Sequence, residues 1–164
     1  MPDGEVPRRK HSDFLSFEEI TRITETAVSL GIRKVRLTGG EPLVKRGICD
    51  LVAMLKSLPG LEHLAMTTNG VLLSSMAREL KNAGLDSMNI SLDSLDSEHY
   101  HRITRVGDLS VTLAGIETAR RLGFPIKINT VVMEDTPEGE IATLAEYCRR
   151  NGFRHQLINH YSLS

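Results

Sequence analysis

Five short strand-like segments alternate with amphipathic helical segments, and this alternation limits the possible folds more than any other feature. The strands are predicted at 34–37, 63–67, 87–92, 126–133 and 155–159. Each intervening segment carries apolar residues at helical spacing, and Gly or Pro ends most of them. Strands separated by helices usually pair in parallel through right-handed crossovers. The sequence therefore predicts an α/β fold with outer helices.

The ends of the first and last helices have recognisable sequence signals. Ser16 and Glu19 form a predicted capping box for the first helix, which Gly31 ends. Thr136 and Pro137 fit the N-cap and first position of the last helix. We expect one domain over 1–164, with a loop at 1–15 and βα repeats at 16–164.

Composition excludes several classes of protein. The net charge is −1, which gives no general attraction to nucleic acid, and no apolar run approaches the length of a membrane span. The two cysteines, Cys49 and Cys148, lie far apart and belong to no metal-binding motif. We expect them to be buried thiols in helices, in a cytoplasmic protein without membrane or nucleic-acid partners.

The strands alternate between apolar and polar residues, whereas parallel strands covered on both faces are usually apolar throughout. In the first strand, Arg36 faces away from Val35 and Leu37. In the third and fourth, polar residues share one parity, among them Asn89, Ser91, Lys127 and Asn129. This pattern favours a curved, barrel-like sheet whose inner face is wet and binds a ligand.

Polar residues also gather where the strands end, in "TGGEP", "TTNG" and "SLDS". In βα folds, ligands bind at the carboxyl ends of the strands. Arg36 and Lys127 favour an anion such as phosphate, although ion-paired structural roles stay open for both. The glycines of GGEP allow a ligand close to the backbone. Glu41 could meet an ammonium group or form a structural ion pair.

The segments "RLTGGEPL", "TTNG", "NISLDSLD" and "KINTVVM" together resemble the radical S-adenosylmethionine superfamily. Within it they are most similar to the GTP 3′,8-cyclase family of molybdenum cofactor biosynthesis. The resemblance implies a partial (β/α) TIM-like barrel that binds two small molecules. Its S-adenosylmethionine contacts would be Gly39, Gly40, Glu41 and Ser91, and its GTP contacts would be Arg36, Thr67 and Lys127.

The resemblance also implies a [4Fe–4S] cluster held by a CxxxCxxC loop, which this sequence lacks. We therefore expect that the chain lacks the first barrel strand and the C-terminal region of the family, and is inactive alone. The implied reaction uses a 5′-deoxyadenosyl radical to convert GTP to (8S)-3′,8-cyclo-7,8-dihydroguanosine 5′-triphosphate. The implied partners are an electron donor such as flavodoxin and a second copy of the same protein, with which it would form a homodimer.

The last strand departs from the family pattern, and two other functions stay open. His155 and His160 lie in this divergent region, and we do not expect them to be ligands. An iron-free βα-barrel enzyme could use Lys127 as a phosphate clamp or a base. Alternatively, a non-catalytic protein could keep the nucleotide pocket without the cluster.

Overall fold

The helices and strands follow the predicted alternation closely. The computed structural model describes residues 15–133, 136–137 and 139–159. In chain order the elements are α1 (Phe17–Ser29), β1 (Lys34–Leu37), α2 (Ile48–Lys56), β2 (His63–Thr68), α3 (Leu73–Asn82), β3 (Ser87–Ser91), α4 (Ser97–Thr104), α5 (Leu109–Arg121), β4 (Ile126–Val132), α6 (Glu140–Asn151) and β5 (Arg154–Asn159). A short 3-10 turn, Pro42–Val44, follows β1.

The five strands form one sheet in the order β1-β2-β3-β4-β5, and every neighbouring pair is parallel. The strands lie side by side in the order in which they occur along the chain. Between one strand and the next the chain forms at least one helix, and each strand pairs with the one before it. This is how a (β/α) barrel is built, and it confirms the predicted α/β class. The predicted division into a loop at 1–15 and repeats at 16–164 stays a prediction, because residues 1–14 lie outside the described residues.

The core lies between the outer face of the sheet and the helices. Leu64, Met66 and Ile90 are fully buried on that face, and Leu55, Leu80 and Leu144 meet them from the helices. Burying a side chain of this size contributes about 1.5–3 kcal/mol. Among the described helices, none is long and apolar enough to cross a bilayer.

The capping prediction for α1 is confirmed, and the one for α6 is wrong. The Ser16 side chain accepts from the Glu19 amide at 3.2 Å, and Glu19 accepts from the Ser16 amide at 2.7 Å. In contrast, α6 begins at Glu140 after Gly139, which has φ +87°. The Thr136 hydroxyl instead accepts from the Met133 amide at 2.9 Å. Thr136 therefore makes a hydrogen bond within the segment after β4 and does not cap α6.

Candidate functional site

The inner face of the sheet carries polar side chains in register across the strands. Thr67, Asn89, Lys127 and Arg154 are consecutive partners on β2, β3, β4 and β5. The next row toward the carboxyl ends holds Ser91, Asn129 and Gln156. The predicted alternation therefore produces a continuous hydrophilic surface on four strands.

This inner face forms a cavity of about 340 Å³ toward the amino-terminal half of the strands. Four cations and one histidine line it, and none of its lining residues is a carboxylate. None of the four cations forms a salt bridge with a described carboxylate. Lys127 only donates a hydrogen bond to Gln156, at 3.3 Å. The polar lining residues are Lys34, Arg36, His63, Ser87, Asn89, Lys127 and Arg154.

Unpaired cations at a concave surface produce a positive potential that attracts anions. Arg36 and Lys127, both expected to bind an anion, lie in this cavity together. Their expected position at the carboxyl ends of the strands is wrong, because the cavity lies toward the amino-terminal half. Lys34, His63 and Arg154 were not predicted to belong to it. Parity along β1 was an available signal for Lys34, which lies two residues before Arg36. His63 and Arg154 join this face through their register with Lys34 and Lys127, which the sequence does not show.

The other expected site residues lie nearer the carboxyl edge of the sheet. Thr67 pairs in register with Asn89 but does not line the cavity. Ser91 ends β3, is exposed, and lies one row beyond Asn89. Gly39 and Gly40 follow the end of β1 and are exposed, with no heavy atom within 4 Å of an ideal Cβ at either position. Open space therefore adjoins the backbone of both glycines, at the same edge as Ser91.

The Glu41 side chain forms hydrogen bonds with other residues of the protein. Its carboxylate accepts from the Thr68 hydroxyl at 2.7 Å, from the Asn69 amide at 2.7 Å and from the Leu43 amide at 3.0 Å. The Thr68 hydroxyl accepts in turn from the Gly70 amide at 3.1 Å. Of the two roles open for Glu41, the structural one is observed, through hydrogen bonds rather than an ion pair. These bonds join the GGEP loop to the TTNG turn.

A buried polar cluster supports the end of β3, and sequence reasoning did not identify it. Asp93 accepts from the Val131 amide at 2.7 Å, and burial raises the pKa of this carboxyl group. His99 Nδ1 and Glu140 Oε2 lie 2.7 Å apart, and both side chains are almost fully buried. Ser94 donates a hydrogen bond to the same glutamate. The cluster joins the segment after Ser91 to α4, β4 and α6.

His155, which was not expected to be a ligand, has a hydrogen-bond partner within the fold. Its Nε2 lies 3.0 Å from the hydroxyl of Thr130, which donates to the Leu92 carbonyl at 2.8 Å. Burial lowers the pKa of His155, so the neutral ring is favoured. His160 lies outside the described residues.

The described residues do not fit an iron–sulfur cluster. No group of three His, Cys, Asp or Glu residues among them is placed to hold a metal. Cys49 in α2 and Cys148 in α6 are both buried and unpaired, which confirms their predicted environment. Burial raises the pKa of each thiol to about 11. Both thiols are therefore protonated at neutral pH, whereas iron binds thiolate.

Similar proteins in two bacteria carry the same name. The chain is 47% identical over 146 residues to the "GTP 3′,8-cyclase" of Geobacter sulfurreducens, which covers 88% of this chain and 45% of that protein. It is 49% identical over 142 residues to the "GTP 3′,8-cyclase" of Petrotoga mobilis, covering 86% of this chain and 44% of that protein. The chain thus spans less than half the length of these relatives.

Solved structures share the fold at low sequence identity. Streptococcus suis SuiB matches with a TM-score of 0.80 and 22% identity, covering 92% of this chain and 35% of SuiB. Methylornithine synthase, PylB, matches with a TM-score of 0.78 and 16% identity, covering 96% of this chain and 46% of PylB. The Radical SAM superfamily model matches residues 2–148. The chain therefore belongs to the radical SAM superfamily.

Proposed function

We propose that this chain is the nucleotide-binding core of a GTP 3′,8-cyclase. The observation that carries the proposal is the cavity on the inner face, with four cations and no carboxylate. A nucleoside triphosphate carries several negative charges on adjacent phosphates, and it matches that charge pattern better than a neutral metabolite does. Arg36 can grip a phosphate with two parallel hydrogen bonds, and Lys127 supplies a point charge beside it.

The carboxyl edge of the sheet is the proposed site for S-adenosylmethionine. The exposed backbone of Gly39 and Gly40 can bind the polar methionyl group, and Ser91 offers a hydroxyl at the same edge. Glu41 then acts indirectly, because its hydrogen bonds fix the loop that carries these glycines. Thr67 lies in the same row as Asn89 and Lys127, which line the cavity, and this position suits a contact to GTP.

The reaction proposed for the whole enzyme converts GTP to its 3′,8-cyclised triphosphate for molybdenum cofactor biosynthesis. S-adenosylmethionine and a [4Fe–4S] cluster supply radical chemistry in this superfamily. Since the described residues do not fit a cluster, we assign this chain only binding, orientation and neutralisation of the phosphate charge. A flavodoxin-like electron donor, a homodimer and a cytoplasmic location are further parts of the proposal.

Calorimetric titration of the chain with GTP tests this proposal. Arg36→Ala and Lys127→Ala are each expected to weaken binding about 10- to 100-fold, because each removes a charge-assisted contact. Arg121→Ala is the matched control, since Arg121 is exposed on the outer helix α5 and should not alter binding. Equal affinity for all four proteins, or no GTP binding by the unaltered chain, would contradict the proposal.

A non-catalytic nucleotide-binding protein is the second candidate, and the two buried thiols favour it. The two functions differ in whether the gene encodes a cluster motif. Sequencing the DNA upstream of the codon for Met1 tests this difference. An in-frame CxxxCxxC motif would exclude this second candidate, and a stop codon shortly upstream would support it.

A further inference from the structure

We propose that Asn89 recognises a sugar hydroxyl of the bound nucleotide, an inference that rests on the function proposed above. Asn89 lies at the centre of the inner face, where β3 pairs it with Thr67 on one side and Lys127 on the other. It lines the cavity and is only 5% exposed. A residue in this position contacts whatever fills the cavity.

The side-chain amide of Asn89 lacks a hydrogen-bond partner. Its Nδ2 is buried and makes no hydrogen bond to any described residue. An unpaired buried donor is costly, and most buried polar groups in folded proteins are paired. A ligand group in the cavity would supply the missing partner, with the carboxamide offering both a donor and an acceptor.

The chemistry of the neighbouring side chains favours a hydroxyl over a phosphate as the partner of Asn89. Arg and Lys only donate hydrogen bonds, so the cations of the cavity suit phosphate oxygens. A carboxamide is neutral and can donate and accept at once, as a hydroxyl can. Asn89 is the sole carboxamide among the residues that line the cavity. Asn89 therefore offers a hydrogen bond to the sugar of a nucleotide, a contact that a triphosphate without a sugar would not make.

The position of Asn89 along β3 agrees with this role. Ser87, two residues earlier, lines the cavity, and Ser91, two residues later, lies at the carboxyl edge. Each step of two residues advances about 6.6 Å along a strand. Arg36 is at the level of Ser87 through Ala65, and Asn89 is in the next row toward the carboxyl edge, beside Lys127. With the terminal phosphates against Arg36 and the sugar toward the edge that carries Gly40, Asn89 is the inward-facing β3 residue that the sugar meets.

Titration of the full chain with four ligands tests the inference: GTP, 2′-deoxy-GTP, 3′-deoxy-GTP and inorganic tripolyphosphate. The unaltered chain should bind at least one deoxy analogue about tenfold more weakly than GTP. Asn89→Leu should weaken GTP binding about tenfold, remove the difference between GTP and that analogue, and leave tripolyphosphate binding unchanged. Asn89→Ser provides a second variant should the leucine destabilise the fold, and Asn82→Leu on α3 is an exposed control.

Three results would overturn the role of Asn89. The first is equal binding of GTP and both deoxy analogues by the unaltered chain. The second is a difference between them that persists in both Asn89 variants. The third is an equal loss of GTP and tripolyphosphate binding, which would show an effect through the fold. If the unaltered chain binds neither GTP nor tripolyphosphate, the proposed function fails, and the inference fails with it.

Discussion

Replacing Glu41 with alanine should destabilise the protein without removing any apolar core contact. The carboxylate accepts three hydrogen bonds, from Leu43, Thr68 and Asn69, and these join the loop after β1 to the turn after β2. Alanine would leave all three donors without their acceptor. The same change would free the GGEP loop, because the remaining bonds of its 3-10 turn are local ones.

The expected loss is about 2–4 kcal/mol in the free energy of unfolding. A hydrogen bond to a charged group contributes roughly 1.5–3 kcal/mol when buried. Glu41 is half-buried and Asn69 is exposed, so water can replace part of each bond and about 1 kcal/mol apiece is the better figure. Glu41→Gln keeps one acceptor oxygen but turns an amide group toward a donor, and it should cost about 1–2 kcal/mol.

Urea unfolding measures both losses, and amide hydrogen exchange at Asn69 locates the change. Glu25→Ala is the matched control, because Glu25 is exposed on α1 and should stay within about 0.5 kcal/mol of the unaltered protein. An unchanged unfolding free energy for Glu41→Ala, with Asn69 still protected from exchange, would refute the structural role. Glu41 would then be available for direct contact with a ligand.

Three further perturbations test other parts of the structure. Gly115→Ala should cost about 1–3 kcal/mol in urea unfolding, because its Cβ would overlap the Gly70 carbonyl oxygen in the TTNG turn; an unchanged midpoint would contradict this packing of α5. Burial of Asp86 acts to raise its pKa, but hydrogen bonds from Lys56 and the Leu64 amide prevail and lower it. The stabilising effect of ionised Asp86 is therefore present above the unfolded-state pKa of about 3.9, and it is lost as pH falls through the lower folded-state pKa. Asp86→Asn should reduce the fall in melting temperature on acidification, and an identical pH profile would show that the pair with Lys56 does not matter. Both cysteines should react with Ellman's reagent only after unfolding, because their thiols are buried and protonated at neutral pH; rapid labelling of the native protein would disprove this.

The sequence allowed the fold class to be predicted because each strand and helix has its own periodicity. Hydrophobic spacing in the helices and alternation in the strands are local signals, and local signals identified all five strands. The start of α6 could not be predicted from Thr136 and Pro137 alone. The hydroxyl of Thr136 had two possible partners, and the backbone geometry around Gly139 decided between them.

The candidate site was predictable in part. Strand parity placed Arg36 and Lys127 on one face and was a signal for Lys34 too, but only the register between strands adds His63 and Arg154 to the same cavity. Register depends on how whole elements pack, and no single segment encodes it. The contact between His99 and Glu140 joins residues on different helices, and neither segment carries a motif that indicates the other.

A crystal structure of the chain with GTP would locate the bound nucleotide. We expect the triphosphate within hydrogen-bonding distance of Arg36 and Lys127 on the inner face of the sheet. A nucleotide bound against the outer helices, or with its phosphates away from these two cations, would contradict this expectation.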